Sequence, residues 1–206
     1  MEYGERLNTW THFFGAVLAL AGAVVLVVLA VLSRDPWKIV SFSIYGATLV
    51  LLYSFSTLYH NAARGKTKVF LQKLDHNAIY LLIAGSYTPF SLVSLRGPWG
   101  WSLFGVVWGL ALLGMGQEIW LGQKSRALSL WIYLVMGWVA VVALLPLVQI
   151  LSWPGFAWVA AGGLAYTAGV VFYVKDEKLR HAHGIWHMFV LAGSALHFFA
   201  ILLYVA

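Results

Sequence analysis

Four side chains of this sequence have the types and spacing to hold a metal ion: His60, Asp75, His183 and His187. His183 and His187 stand four residues apart, which on an α-helix stacks both imidazoles on one face. That is the usual helical way to present two nitrogens to one ion. A third imidazole and a carboxylate complete a donor set suited to zinc, with iron or manganese as the alternatives. Ser56 and His60 share the same four-residue spacing, so the Ser56 hydroxyl lies one turn from His60 on the same face. A lone histidine at a helix end is more often an interfacial hydrogen-bonding residue, so a metal requires distant segments to bring the four together.

The segments that must do this are membrane helices. Of the 206 residues, 62% are apolar and 10% charged, whereas a soluble domain carries roughly 25% charge. Apolar runs long enough to cross a hydrocarbon core recur along the chain, leaving little for an extramembrane domain. Residues 1–206 therefore form one all-α membrane unit. Seven spans are expected, at about Thr9 to Leu32, Ile39 to His60, Leu74 to Leu95, Trp99 to Leu121, Leu128 to Leu147, Phe156 to Val174 and His183 to Ala206. They are separated by Ser33-Arg34-Asp35-Pro36, the basic stretch Asn61 to Lys73, Arg96-Gly97-Pro98, the loop Gly122 to Ala127, the turn Trp153-Pro154-Gly155 and the charged run Lys175 to Arg180. The first apolar run is too long for a signal-peptide core, so no cleavable leader is expected.

Charge sets the orientation. Arg6, Arg64, Lys66, Lys68, Lys73, Lys124, Arg126, Lys175, Lys178 and Arg180 fall on the N-terminal side, against Arg34, Lys38 and Arg96 on the other. Short basic loops stay cytoplasmic, so the N-terminus is expected inside and the C-terminus outside. The net charge of +6 belongs to these loops rather than to a soluble basic face, which argues against nucleic acid. With no cysteine, any metal must be held by His, Asp or Glu. Many of the 11 Trp and 10 Tyr sit near span ends, as in an interfacial aromatic belt. Scattered Gly and Ala suit close helix packing.

With that topology His60 ends span two, Asp75 begins span three, and His183 and His187 begin span seven. All four fall in one layer at the cytoplasmic face, although the span count used none of their identities. Ionisable groups at membrane depth are costly and mark functional sites. The remaining polar residues have blander expectations. His76 points about 100° away from Asp75 and should serve helix packing or headgroup contact. His197 lies about 15 Å deeper than His187, suited to a hydrogen bond to another helix, and His181 should be solvated. His12 and Glu118 fall near the inner ends of spans one and four, where they would form a structural polar contact, a pair behind the ligands or a proton path.

Ser56-Thr-Leu-Tyr-His60, Lys73-Leu-Asp75 running into Leu81-Leu-Ile-Ala-Gly-Ser-Tyr-Thr-Pro89, and His183-Gly-Ile-Trp-His187 with Gly193-Ser194 and His197-Phe198 resemble the bacterial hemolysin III group. That group lies within the progestin and adipoQ receptor family and the wider alkaline ceramidase-like superfamily. The resemblance covers essentially the whole chain. It implies a seven-helix fold in the bacterial inner membrane with zinc near the cytoplasmic face. His60, His183 and His187 would be ligands, Asp75 would bind the metal directly or through a water, and Ser56 would lie beside them. The chain lacks the extended N-terminal region of the eukaryotic receptors, so hormone reception is not implied.

Zinc can activate a water at neutral pH. The site suits hydrolysis of a lipid amide or ester, with Asp75 moving the proton and Ser56 or the metal meeting the oxyanion. The partners expected are membrane lipids, as substrate or ligand. The alternatives are a non-enzymatic zinc protein of membrane homeostasis or lipid sensing and, more remotely, a cytolysin or pore. An open coordination position favours hydrolysis, whereas four protein ligands favour a structural clamp.

Overall fold

The computed structural model describes residues 5–121 and 126–206. Its described residues are helical nearly throughout. The helices are α1 (Arg6–Ser33), α2 (Pro36–Asn61), α3 (Lys66–Pro89), α4 (Pro98–Leu121), α5 (Arg126–Trp138), α6 (Leu144–Val174) and α7 (Ala182–Tyr204). Local chemistry explains several ends. Asp35 caps α2, its Oδ1 accepting from Trp37 N at 2.8 Å, with Pro36 at the first helical position, where its missing N–H costs nothing. Pro89 removes an N–H from the end of α3, and the chain passes there into a π-helical turn, Phe90–Ser94. Among the described residues five helical segments are long and apolar enough to cross a membrane: α1, α2, α4, α7 and the stretch Arg126–Val174.

That last stretch has 49 residues, which as one straight helix would be about 74 Å long against a core of roughly 30 Å. It is instead a hairpin. Arg126 Nη2 donates to Tyr173 O at 2.6 Å and Trp138 Nε1 donates to Thr167 Oγ1 at 3.2 Å, so both ends of α5 face late residues of α6. The reversal lies at Ser152, whose φ of 60° and ψ of 168° are non-helical. The sequence places this turn at Trp153-Pro154-Gly155. The break actually precedes the proline, which sits in the first turn of the returning arm, where it is tolerated.

Other neighbours in sequence also pack antiparallel. Gly15 meets Tyr53 and Gly46 meets Ala23 between α1 and α2, and Gln72 Nε2 donates to Tyr59 OH between α2 and α3 at 3.0 Å. Gly155, Gly162 and Gly169, spaced seven apart on α6, face Tyr204, His197 and Phe189 of α7. This small-residue seam lets the two helices approach closely. By contrast α1 and α7 run parallel, since Leu7, Gly15 and Gly22 meet Gly184, Leu191 and Phe198 in order. That parallel pairing brings the start of α1 beside the start of α7.

A Cβ at Gly162 would run into the His197 ring, whose Nε2 is held by Val159 O at 3.1 Å. Gly162→Ala should therefore cost about 1–3 kcal/mol of overpacking, read as a lower thermal midpoint in detergent. Gly105→Ala, which meets open space, should cost nothing.

The surface is apolar and much of the interior polar. Leu18, Leu113 and Leu145 are exposed, as are Trp10, Trp99, Trp101, Trp120, Trp131 and Trp153, while His12, Ser56, His60, Asp75, Glu118 and His187 are buried. In water such a surface would aggregate; in lipid it is the expected one. The chain is a multi-pass membrane protein. One boundary departs from the sequence reading. The basic stretch Asn61 to Lys73 is not all loop, because α3 begins at Lys66, after Gly65 at φ 147°. Charge marks where a helix leaves lipid, not where it unwinds. The loop Gly122 to Ala127 lies, apart from Arg126 and Ala127, outside the described residues.

Candidate metal centre

His60 closes the last turn of α2, and His183 and His187 open α7. Their ring centroids form a nearly equilateral triangle, with sides of 5.0 Å (His60–His183), 4.9 Å (His60–His187) and 4.8 Å (His183–His187). One ligand atom from each lies within 4.8 Å of the others. Zinc at about 2.0–2.1 Å from each nitrogen would space tetrahedral ligands roughly 3.3 Å apart, inside that limit. All three Nε2 atoms are buried and lack a hydrogen-bond partner. Three such orphans on closely grouped rings in a protein interior are costly unless something electropositive binds them.

The other ring nitrogens explain why Nε2 is the free one. His60 Nδ1 lies 2.6 Å from Glu5 Oε2, His183 Nδ1 lies 2.8 Å from Asp176 Oδ2, and His187 Nδ1 lies 3.3 Å from Asn8 O. Ionised carboxylates and carbonyls only accept, so in each neutral ring Nδ1 carries the proton and Nε2 keeps the lone pair. A metal needs that tautomer. Both carboxylates lie outside the membrane-spanning segments. Burial pushes the Glu5 pKa up, but the His60 contact, helped by Asn8 and Lys68, outweighs it and holds the group down to about 2. Burial likewise works against Asp176, and hydrogen bonds from His183 and Arg126 prevail, keeping it below its ordinary value.

Asp75, on α3, is buried but is not a member of the three-nitrogen group. Its position is nevertheless distinctive, because it lines two cavities. One, of about 420 Å³, is a polar vestibule among the loop-side ends of the helices, lined by Glu5, His60, His76, Glu118, Arg126, Asp176 and His183 among others. The other, of about 130 Å³, runs inward between α3, α5, α6 and α7 past Ile79, Leu82, Ile83, Leu130, Leu134 and Val190, and its polar lining includes His12 and Ser56. A third cavity of about 100 Å³ continues from Tyr87 and His197 toward Leu103 and Phe156. Ser56 is buried on α2, in the apolar slot that also holds Asp75.

His12 and Glu118 do not pair. His12 stacks flat on His187, with centroids 3.6 Å apart at 11°, and neither of its nitrogens has a partner. Glu118 binds His76 Nδ1 at 2.9 Å and accepts from Ser129 Oγ at 2.8 Å. His76 thus faces α4 and hydrogen-bonds to it, a helix-packing contact rather than a headgroup one. The separation of α1 from α4, which span order alone does not reveal, is the reason. His197 does bond another helix, through Val159 O, and His181 is exposed. Beneath the triad the Tyr53 hydroxyl donates to Ser194 Oγ at 2.8 Å, and Tyr166 OH lies at the same distance from it.

Sequence reasoning missed Glu5, Asn8 and Asp176, whose charge or polarity reads as ordinary interfacial dressing. Glu5, Asn8 and His12 did carry a signal, since their spacings of three and four place them on one helix face.

Residues 3–198 match the family described as Haemolysin-III related. The chain is 43% identical to Hemolysin-3 of Bacillus cereus over 98% of its own length and 91% of that protein. It is 44% identical to the Hemolysin-3 homolog of Bacillus subtilis strain 168, over 97% and 93%. It is also 31% identical to the human monocyte to macrophage differentiation factor, over 97% and 83%. No solved structure matches.

Proposed function

The chain belongs to the haemolysin-III-related family, and from that premise we propose that it is a zinc-dependent membrane hydrolase acting on a lipid amide or ester. One observation carries this reading. Three closely grouped imidazoles have unpartnered nitrogens; two of them, His60 and His183, line the polar vestibule, and Asp75 lines both that vestibule and the apolar slot. An amphiphile fits that division, headgroup in the vestibule and chain in the slot. No fourth His, Asp or Glu joins the three among the described residues, which suits a metal with an open position better than a structural clamp.

His60, His183 and His187 would hold the ion, and a zinc ion bound there supplies an activated water at neutral pH. The rest is the work of side chains. Asp75 accepts a proton from the attacking water as oxygen adds to the acyl carbon, then returns it to the leaving nitrogen or oxygen as the acyl bond breaks. The Ser56 hydroxyl donates to the oxyanion developing on the acyl oxygen. Apolar walls hold the chain and exclude bulk water.

We also read the chain as seven crossings with a cytoplasmic N-terminus. Supporting this are the reversal at Ser152, the antiparallel helix pairs, the parallel run of α1 and α7 and the excess of Lys and Arg on the N-terminal side. The basic α3 is the least apolar crossing, and neighbouring helices shield much of its C-terminal half. The test is the zinc content of protein purified without chelators, together with release of fatty acid from a panel of lipid amides and esters in mixed micelles. Metal-dependent release supports the reading; metal-free protein with no metal-stimulated release removes it.

A further inference from the structure

Glu5 precedes α1 and Asp176 lies in the connection before α7, so neither sits on a helix that carries a ligand nitrogen, yet each closes on a ligand ring. A neutral imidazole can turn and can exchange its proton between two nitrogens. A carboxylate opposite Nδ1 removes both freedoms and leaves Nε2 facing one place. Each carboxylate is itself braced. Glu5 accepts from Asn8 Nδ2 at 2.8 Å and pairs with Lys68 Nζ at 3.6 Å. Asp176 Oδ1 is paired with Arg126 Nη2 at 2.8 Å, while its Oδ2 serves His183.

Arg126 begins α5, a helix with no member in the ligand group. Its guanidinium lies over the Tyr173 ring, 4.2 Å from the centroid, and also donates to Tyr173 O at 2.6 Å. A planar fork seated on a ring and a carbonyl is rigid enough to aim the carboxylate it pairs with. Resting on the zinc reading above, we propose that Glu5 and Asp176 are positioning residues of the metal centre, and that Arg126 acts through Asp176 to tie α5 to it.

The experiment is competition for Zn²⁺ between a chromophoric chelator and the full chain in detergent, with Co²⁺ absorption reporting the coordination geometry. Asp176→Ala and Glu5→Ala should each weaken Zn²⁺ affinity about 10–100-fold and alter the Co²⁺ bands. Arg126→Ala should weaken affinity less. The double variant Arg126→Ala/Asp176→Ala should be no worse than Asp176→Ala alone, because the arginine then has nothing left to aim. Asp176→Asn keeps a carbonyl acceptor for Nδ1–H and should lose less than Asp176→Ala, which separates positioning from a folding defect. Unchanged affinity in both alanine variants, or equal loss in Asn and Ala, overturns the positioning role. Additive losses in the double variant overturn the Arg126 link. A wild-type chain that retains no Zn²⁺ overturns this proposal and the zinc reading together, whereas tight wild-type binding with unaffected variants removes this proposal alone.

Discussion

His187→Ala is expected to leave the purified protein without retained zinc and without turnover of a lipid amide. The ring is fully buried, stands within 5 Å of both other ligand rings and stacks on His12. Its removal leaves two nitrogens, which cannot complete a closed or a catalytic zinc shell. The affinity loss should exceed the roughly 10–100-fold typical of an outer partner, and turnover should fall to the uncatalysed background. Metal analysis and fatty-acid release measured on the same preparation check this. Turnover equal to wild type in a metal-free variant would remove the catalytic proposal.

Asp75→Asn separates binding from chemistry. The carboxylate is not part of the three-nitrogen group but lines both cavities, and the proposed mechanism assigns it the proton transfer. The amide keeps the shape and loses the base, so zinc content should stay near wild type while kcat falls about 10²–10⁴-fold. A parallel loss of zinc would instead make Asp75 a direct ligand. Wild-type turnover in Asp75→Asn would strip the residue of its catalytic role.

The depth of the site was legible in the sequence because membrane spans impose a ruler. Each run of about 20 apolar residues fixes where a helix enters and leaves, so His60, Asp75, His183 and His187 could be assigned to one layer. Depth does not say which way a side chain points. His76 sits beside Asp75 in sequence, yet it turns to Glu118 on α4. His12 shares the layer with Glu118, yet it stacks on a ligand ring instead. Rotation about each helix axis and the order of helices around the bundle depend on packing details such as the Gly155, Gly162 and Gly169 seam. Such a pattern is visible in a sequence only once its partner helix is known.

The residues that tune the site were the least legible. Asp176 stands in a charged run, where charge is explained by the interface alone, and its role appears only when His183 is found 2.8 Å away. Composition and apolar run length determined that this is a helical membrane protein, and which histidines share a depth, because burial in lipid constrains every residue of a span. Tertiary contacts alone decided that three histidines group together without Asp75, and that Glu5 and Asp176 meet two of their rings. Those outcomes rest on helix rotation and on hydrogen bonds between segments distant in the chain, neither of which hydropathy encodes.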